Sequence, residues 1–271
     1  MRIVHFSDPH AGGGAEDFMA YFDKRLVGVF NYSFRRRFRH DLGRLAAGVR
    51  YILESRPDLA VCTGDLTSTG QPGEFEKVRR ILEPLRNSGV PVVYMPGNHD
   101  CYVKREKCVA AVREMFRWLN QDRMDFDDLP LAWDAGEVEL LLVNTSAPSN
   151  LLCSWGFLTG ADREWLLEEL RKPRRKPRIL VSHYPLLEKH PLLRTRHRLF
   201  GQKAVAEALR DGRLDLSLCG HVHRPGREID ASGRGENIAG SITLNGTMTE
   251  IVYDPAADRF SYRTVNVDEV R

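Results

Sequence analysis

Short apolar runs alternate along this chain with longer segments in which apolar residues recur every third or fourth position. The short runs indicate strands buried on both faces, whereas the three-to-four spacing indicates amphipathic helices. Alternation of the two predicts an α/β fold. The strand-like runs lie at residues 3–6, 59–63, 90–96, 138–144, 178–182 and 214–219.

Helices are predicted between these strands, over residues 42–54, 72–86, 101–120 and 162–170, with Asp162 capping the last one. From residue 238 onward the pattern changes to antiparallel strands, with a hairpin turn at residues 254–258. A chain of 271 residues that is 42% apolar can bury one large core, so we expect a single domain over residues 1–271.

The segment at residues 15–40 is predicted to be an amphipathic, basic helical insertion. Its apolar residues recur every fourth position, at Phe18, Phe22, Leu26, Phe30 and Phe34. It then runs into Arg35-Arg36-Arg37-Phe38-Arg39. Aromatic residues beside an arginine cluster suit a helix that meets anionic lipid or an acyl chain. A helix that packs on the core and leaves its basic end in solvent is the alternative.

The formal net charge of +3 is too small to indicate a nucleic-acid partner, and none is predicted. Basic residues are instead concentrated at residues 24–50, 171–178 and 189–203. The five cysteines are irregularly spaced, no signal peptide precedes the first strand, and no apolar run reaches membrane-spanning length. We therefore expect a cytoplasmic protein, with peripheral contact at the inner face of the cytoplasmic membrane as an alternative.

Polar residues with metal-binding side chains follow five of the apolar runs. The carboxyl ends of strands in an open α/β sheet meet at one crevice, so these side chains are expected to converge. Imidazole and carboxylate groups without cysteine favour Mn²⁺, Fe²⁺ or Zn²⁺, and seven donors suit two ions that share a carboxylate. The donors are Asp8, His10, Asp65, Asn98, His183, His221 and His223. His5 and His40 do not follow a strand end and are predicted to be packing or surface residues.

These blocks resemble the calcineurin-like metallophosphoesterase family. They are Asp8-x-His10, Gly64-Asp65, Gly97-Asn98-His99-Asp100, His183 and Gly220-His221-x-His223, in this order. The resemblance implies a four-layer α/β/β/α sandwich with two mixed sheets. It also implies two divalent ions, foremost Mn²⁺ with Fe or Zn as alternatives. One ion would be bound by Asp8, His10, Asp65 and His223, and the other by Asp65, Asn98, His183 and His221.

The same resemblance implies a hydrolase that cleaves a phosphodiester or pyrophosphate bond by attack of a hydroxide shared by the two metals. Two cations roughly 3.5–4 Å apart can lower the pKa of a shared water and clamp a phosphoryl oxygen. His99 would be the catalytic histidine, with a contribution of about 10² to 10⁴ in rate, and Asp100 would orient it.

The sequence specifies the substrate less closely than it specifies the type of reaction. The residues predicted to contact it are Arg35, Arg36, Arg37, Arg194, Arg196, His197, Arg198, Phe22, Leu26 and Phe30. A phenylalanine stripe with arginines resembles what an acylated, anionic substrate requires, as in the chlamydial type of UDP-2,3-diacylglucosamine pyrophosphatase of lipid A synthesis. The widespread proteobacterial type has arginine where this chain has His99. A cyclic-nucleotide or other small phosphodiesterase is the alternative, and a non-catalytic interaction scaffold on the same fold is a third.

Overall fold

The computed structural model describes residues 1–148, 153–158, 160–187, 195 and 197–270. Within these residues the strands form two large mixed sheets and one small parallel pair. The strands are β1 (Arg2–Phe6), β2 (Leu59–Cys62), β3 (Val92–Tyr94), β4 (Leu131–Asp134), β5 (Glu139–Leu142), β6 (Gly156–Phe157), β7 (Arg178–Val181), β8 (Leu199–Phe200), β9 (Leu216–Cys219), β10 (Gly226–Ile229), β11 (Gly235–Ile238), β12 (Thr247–Asp254) and β13 (Arg259–Asn266).

The first sheet has the strand order β13-β12-β1-β2-β3, and the second has the order β10-β11-β9-β7-β5-β4. Strands β1, β2 and β3 run parallel, and β12 and β13 extend that sheet in antiparallel fashion. In the second sheet the central strands are parallel, and the edge strands β4 and β10 are antiparallel to their neighbours. The predicted α/β class with two mixed sheets is therefore confirmed.

Seven α-helices lie within the described residues. They are α1 (Arg25–Phe34), α2 (Leu42–Ser55), α3 (Pro72–Arg86), α4 (Glu106–Leu119), α5 (Gly160–Glu169), α6 (Lys203–Arg210) and α7 (Ile242–Asn245). Helix α2 begins where the Asp41 carboxylate accepts a hydrogen bond from the Gly43 N–H at 2.8 Å. Helix α3 begins at a proline, preceded by a capping box between Gln71 and Glu74. None of these helices is both long and apolar enough to cross a membrane.

Two apolar cores explain the layers of the fold. Alternate residues of β5 point to opposite faces of the second sheet, so Leu140 and Leu141 belong to different cores. The larger core joins both sheets with helices α2, α3 and α4, and the smaller one joins the second sheet with α5 and α6. Each sheet thus buries one face against the other sheet and one face against helices.

Several predicted boundaries need correction. Helix α4 begins at Glu106 rather than at Cys101, because residues 97–101 form a turn. Helix α5 is already formed at Gly160, so Asp162 lies in its first turn and does not cap it. The predicted basic loop at residues 171–178 is engaged with acidic side chains. Arg174 pairs with Asp215, and Lys176 pairs with Asp134 at 2.6 Å.

The predicted helix at residues 15–40 is interrupted. A 3₁₀ helix at Phe18–Tyr21 and another at Arg36–Phe38 flank α1. The aromatic stripe faces solvent, with Phe22 68% exposed, Leu26 43% and Phe30 62%. The alternative in which this stripe packs on the core is therefore wrong for these residues. The segment is attached through the other side of α1, where Arg25 and Gly28 are buried.

Candidate metal centre

The predicted donors meet at the carboxyl ends of strands from both sheets. Asp8 and His10 follow β1, Asp65 follows β2 and Asn98 follows β3. His183 follows β7, and the pair His221 and His223 follows β9. Because parallel strands present their carboxyl ends at the same edge, residues separated by more than two hundred positions come together.

A first group of donor atoms comes from Asp8, His10, Asp65 and His223, all within 4.8 Å of one another. The His10 Nε2 atom lies 3.6 Å from Asp8 Oδ1 and 3.6 Å from Asp65 Oδ2. The His223 Nε2 atom lies 3.3 Å from Asp8 Oδ1. Four nitrogen and oxygen lone pairs therefore point into one small volume.

A second group contains Asp65, His183 and His221, again within 4.8 Å of one another. The His183 Nε2 atom lies 3.4 Å from Asp65 Oδ2 and 3.2 Å from Asn98 Oδ1. The His221 Nδ1 atom lies 3.2 Å from the same nitrogen. Asp65 belongs to both groups, and Asn98 adds a neutral oxygen to the second.

The hydrogen bonding of these groups tests whether they fit cations. Asp8 Oδ1 and Asp65 Oδ2 are buried carboxylate oxygens without a hydrogen-bond donor among the described residues. The Nε2 atoms of His10 and His223 face each other at 2.7 Å. Buried polar atoms are nearly always satisfied, and unpaired ones are costly. Two divalent cations at these positions would satisfy all of them, so the donor set fits a dinuclear metal site.

Contacts behind the donors select which imidazole nitrogen faces the centre. Carbonyl oxygens can only accept, so His10 Nδ1 donates to Thr67 O at 3.2 Å and His183 Nδ1 donates to Thr63 O at 2.6 Å. Each Nε2 then faces the centre, where the neutral form of the ring offers its lone pair to a cation. Burial acts to lower the pKa of His183, but the Asp65 carboxylate raises it to about 9.

The backbone at the centre is strained. Five non-glycine donors have a positive φ: Asp8 (55°), His10 (50°), Asp65 (54°), His221 (69°) and His223 (58°). This left-handed region is unfavourable for residues with a Cβ, and clusters of such residues are typical of functional sites. Gly97 allows a further close approach, because a Cβ there would lie 2.1 Å from the Oδ1 atom of Asp65.

Comparison with known families decides the class of the protein. The model of the calcineurin-like phosphoesterase family matches residues 1–225. The chain belongs to this family. The resemblance inferred from the five blocks is thereby confirmed.

Named relatives of this phosphoesterase include a cAMP/cGMP dual specificity phosphodiesterase of Mycobacterium tuberculosis, 27% identical over 82% of this chain and 61% of that protein. A 3′,5′-cyclic-nucleotide phosphodiesterase of Nostoc is 26% identical over 66% of this chain and 61% of that protein. A glycerophosphodiester phosphodiesterase of Enterobacter lignolyticus is 27% identical over 63% of this chain and 58% of that protein. The chain thus spans about three fifths of the length of these curated relatives.

Solved structures agree on the fold. A dimetal phosphatase of Danio rerio superposes with a TM-score of 0.68 at 16% identity, covering 98% of this chain and 96% of that one. A purple acid phosphatase of yellow lupin superposes with a TM-score of 0.66 at 13% identity, covering 100% of this chain and 52% of that one. At such identities the likeness concerns the fold alone.

The predicted catalytic histidine of the phosphoesterase lies beside both donor groups. The His99 N–H donates to Asp65 Oδ1 at 2.7 Å, and the His99 Nδ1 atom donates to the carbonyl of Ser68 at 2.7 Å. The Tyr102 ring stacks on its imidazole at 5.2 Å. Burial, together with the nearby Arg36 guanidinium, lowers the pKa of His99 well below its ordinary value.

The prediction that Asp100 orients His99 needs correction, because its carboxylate does not contact the imidazole. Asp100 Oδ1 accepts from the N–H and hydroxyl of Thr67, each at 3.0 Å. Asp100 Oδ2 accepts from the Tyr94 hydroxyl at 2.8 Å and from the Gly97 N–H at 3.0 Å. Asp100 therefore stabilises the loops that carry Asp65 and Asn98, and the Ser68 carbonyl orients the His99 ring.

The predicted substrate residues separate into different environments. Arg36 reaches the centre, whereas Arg35 and Arg37 are exposed, and the Arg37 guanidinium lies over the Phe38 ring at 4.5 Å. Arg198 is exposed and lies over the Phe200 ring at 4.7 Å. Phe22, Leu26 and Phe30 form part of the exposed stripe described above, and Arg194 and Arg196 lie outside the described residues.

His197 is the second predicted substrate residue that reaches the centre. Its Nδ1 atom lies 3.0 Å from the Nε2 atom of His221. His221 therefore has one ring nitrogen toward the second donor group and the other toward His197. This contact suits a residue that orients a metal-binding histidine.

Sequence reasoning missed three residues that touch the centre. The His40 ring lies 5.3 Å from the His10 ring, and its Nδ1 atom is 2.8 Å from the hydroxyl of Thr243. Tyr184 packs its ring 4.0 Å from that of His221, and Tyr102 stacks on His99. Tyr184 directly follows His183, a position that could have suggested its role. Nothing in the spacing indicated His40. His5, in contrast, packs as predicted, beside the Thr63 hydroxyl at 2.9 Å.

Proposed function

We propose that this protein is a metal-dependent phosphodiesterase that hydrolyses a cyclic nucleotide or another small phosphodiester. The observation that carries the proposal is the pair of donor groups that share Asp65, with the His99 imidazole beside them. The substrate class is supported by relatives named as cyclic-nucleotide and glycerophosphodiester phosphodiesterases. An interaction scaffold is disfavoured, because all seven donors and His99 are present.

The proposed roles of the residues follow from their positions. Asp8, His10, Asp65 and His223 would hold one ion, and Asp65, Asn98, His183 and His221 the other. When bound, two divalent ions lower the pKa of a shared water and offset the negative charge of the phosphate. Mn²⁺, Fe²⁺ and Zn²⁺ all suit these nitrogen and oxygen donors.

His99 is proposed to move a proton or to hydrogen bond to the phosphoryl group. Its Nδ1–H is engaged by the Ser68 carbonyl, so its Nε2 atom is the nitrogen available for exchange. This nitrogen lies 3.2 Å from a guanidinium nitrogen of Arg36, and the His99 ring lies 4.9 Å from the ring of the donor His10. The Ser68 carbonyl fixes the ring, and the imidazole stays neutral because its pKa is lowered.

The test is a substrate panel with purified protein loaded with Mn²⁺. It should compare cyclic AMP, cyclic GMP, a glycerophosphodiester and a phosphomonoester, with Asp65→Asn as the inactive reference. We expect turnover of at least one diester to exceed that of the monoester. Hydrolysis of the monoester alone, or no hydrolysis by a protein that binds two metal ions, would refute the proposal.

A second candidate is a UDP-2,3-diacylglucosamine pyrophosphatase that acts at an anionic membrane. The observation that favours it is the exposed aromatic stripe of residues 18–38, next to the exposed Arg35, Arg37 and Arg39. The test is hydrolysis of the lipid-nucleotide and co-sedimentation with phosphatidylglycerol vesicles. Changing Phe22, Leu26 and Phe30 together to serine should reduce both and spare a chromogenic diester. An intact lipid-nucleotide after incubation with enzyme that cleaves cyclic AMP would exclude this candidate.

A further inference from the structure

Arg36 is directed differently from the arginines on either side of it. Arg35 and Arg37 are exposed, whereas Arg36 is partly buried and turns its guanidinium toward the metal centre. The Arg36 Nη2 atom lies 3.2 Å from His99 Nε2, and the Nη1 atom lies 3.4 Å from His10 Nδ1. A single side chain thus reaches both the catalytic histidine and a proposed metal ligand.

The guanidinium of Arg36 has no carboxylate partner within ion-pair distance in the part of the chain that the structure describes. Three imidazole nitrogens lie near it, but only His99 Nε2 can accept a hydrogen bond from it, because the Nδ1 atoms of His10 and His99 already donate to carbonyl groups. Burial lowers the pKa of Arg36, against the more distant carboxylates of Asp65, Glu74 and Asp8, which raise it. Arg25 in the same segment shows the usual arrangement, with ion pairs to Asp17 at 2.8 Å and Asp23 at 3.0 Å. A desolvated cation without an ion-pair partner is unfavourable, and two metal ions beside it would offset the attraction of the more distant Asp8 and Asp65 carboxylates.

The segment that carries Arg36 is seated firmly on the rest of the fold. Asp23 pairs with Arg105, which precedes helix α4, at 3.1 Å. Gly28 packs so closely that a Cβ there would lie 2.3 Å from the Thr69 side chain. Tyr102, the residue that stacks on His99, also borders Gly28. The position of Arg36 over the centre is therefore set by contacts on the opposite side of α1.

We propose that Arg36 binds a non-bridging oxygen of the substrate's phosphate group, so that residues 17–40 complete the substrate site. An anion placed among the guanidinium, His99 and the donor groups would give Arg36 a direct ion-pair partner. A guanidinium offers two parallel N–H donors, which suits a phosphate group better than an ammonium does. This inference rests on the proposed phosphoesterase function, but it concerns phosphate binding and not the identity of the ester.

The experiment compares Arg36→Met with Arg35→Met and Arg37→Met in protein loaded with Mn²⁺. Arg35 and Arg37 are matched controls, because they flank Arg36, carry the same charge and are exposed. Binding of inorganic phosphate is measured by titration calorimetry, and hydrolysis of bis(p-nitrophenyl) phosphate is measured alongside. We expect Arg36→Met to weaken phosphate binding about 10- to 100-fold, the range for loss of a charge-assisted hydrogen bond. The controls should change less than about threefold by the same measure, since their charges are screened by solvent.

Arg36→Gln is a second variant in case the methionine does not fold, and metal analysis should return the same Mn²⁺ content in all variants. Unchanged phosphate affinity in either folded Arg36 variant would overturn the inference. Equally weakened phosphate binding in Arg35→Met and Arg37→Met would overturn it too, because the loss would then reflect the overall positive charge of the segment. If wild type hydrolyses no diester but still binds phosphate through Arg36, the proposed function fails while this inference stands.

Discussion

Replacing Asp65 by asparagine is expected to cost far more stability in the presence of Mn²⁺ than in its absence. Asp65 belongs to both donor groups, and its Oδ2 atom has no hydrogen-bond donor among the described residues. Asparagine keeps the oxygen that accepts from the His99 N–H, so the local hydrogen bond survives. It removes the charge that two cations would require. The variant thus separates a metal-binding role from a structural one.

Without metal, the free energy of unfolding that Asp65→Asn loses follows from the pairing of Asp65 with His183. Asp65 raises the pKa of His183 to about 9, against an ordinary value of 6.5. A raised folded-state pKa stabilises the fold fully below pH 6.5, and that contribution is lost as the pH rises through about 9. At pH 7.5 the linkage relation gives about 2 kcal/mol for this pair. In EDTA, Asp65→Asn should therefore cost on the order of 2 kcal/mol at pH 7.5 and progressively less as the pH rises toward 9, with almost no cost above it.

With metal, the additional loss of free energy of unfolding follows from mass action, because ions that bind only the folded state stabilise it. An ion at 100 times its dissociation constant adds about 2.7 kcal/mol to the free energy of unfolding, so two independent sites add about 5 kcal/mol. Asp65→Asn should lose most of this increment. The assay is urea unfolding of wild type and variant in EDTA and in saturating Mn²⁺.

Asp100→Asn is the matched control for Asp65→Asn. Asp100 is another buried carboxylate, but its four hydrogen bonds all go to protein donors. An asparagine amide there leaves one backbone N–H unpaired, which costs about 1–3 kcal/mol whether or not metal is present. If Asp65→Asn also costs the same free energy in EDTA and in Mn²⁺, the dinuclear assignment of Asp65 is refuted.

Three further outcomes are expected. His99→Gln should lower kcat by about 10² to 10⁴ while metal analysis still finds two ions, and undiminished turnover would remove His99 from the mechanism. Burial lowers the pKa of His5 to about 3, so its contribution to stability falls as the pH drops below 6.5. Between pH 7.5 and pH 5 urea titrations of wild type should lose about 2 kcal/mol more than those of His5→Gln, and parallel pH profiles would contradict this. Changing Phe22, Leu26 and Phe30 together to serine should alter the free energy of unfolding by less than about 1 kcal/mol, because all three are exposed, and a larger loss would show that the stripe packs on the fold.

The sheet and the donor groups could be predicted because both depend on local sequence patterns. An apolar run such as 59–63 forms a strand wherever it is buried, and β2 occupies Leu59–Cys62. Parallel strands then bring Asp8, Asp65 and Asn98 to one edge by topology alone. That these residues bind metal, and that residues 1–271 form one domain, stays a prediction.

Side-chain direction could not be predicted in the same way. The sequence shows three consecutive arginines, but only the short 3₁₀ helix at Arg36–Phe38 decides which one turns inward. The four-residue spacing of phenylalanines was compatible with packing or exposure, and the close packing of Gly28 against Thr69 and Tyr102 on the other side of α1 decided for exposure. In both cases the deciding contacts are distant in sequence, so no local pattern contains them.

The role predicted for Asp100 was wrong for a related reason, because the direction of its side chain does not follow from its position beside His99. Adjacency to His99 suggested a carboxylate–histidine pair, yet neighbouring residues in a tight turn point their side chains apart. The Asp100 carboxylate instead accepts hydrogen bonds from Tyr94 at the end of β3, from Gly97 in the loop that follows it, and from Thr67 in the loop after β2. The loop after β2 holds the donor Asp65 at a positive φ of 54°, a conformation that costs about 1–3 kcal/mol and persists only where the surroundings over-determine it. A buried carboxylate with four hydrogen bonds provides that restraint, which a bond to the His99 ring would not.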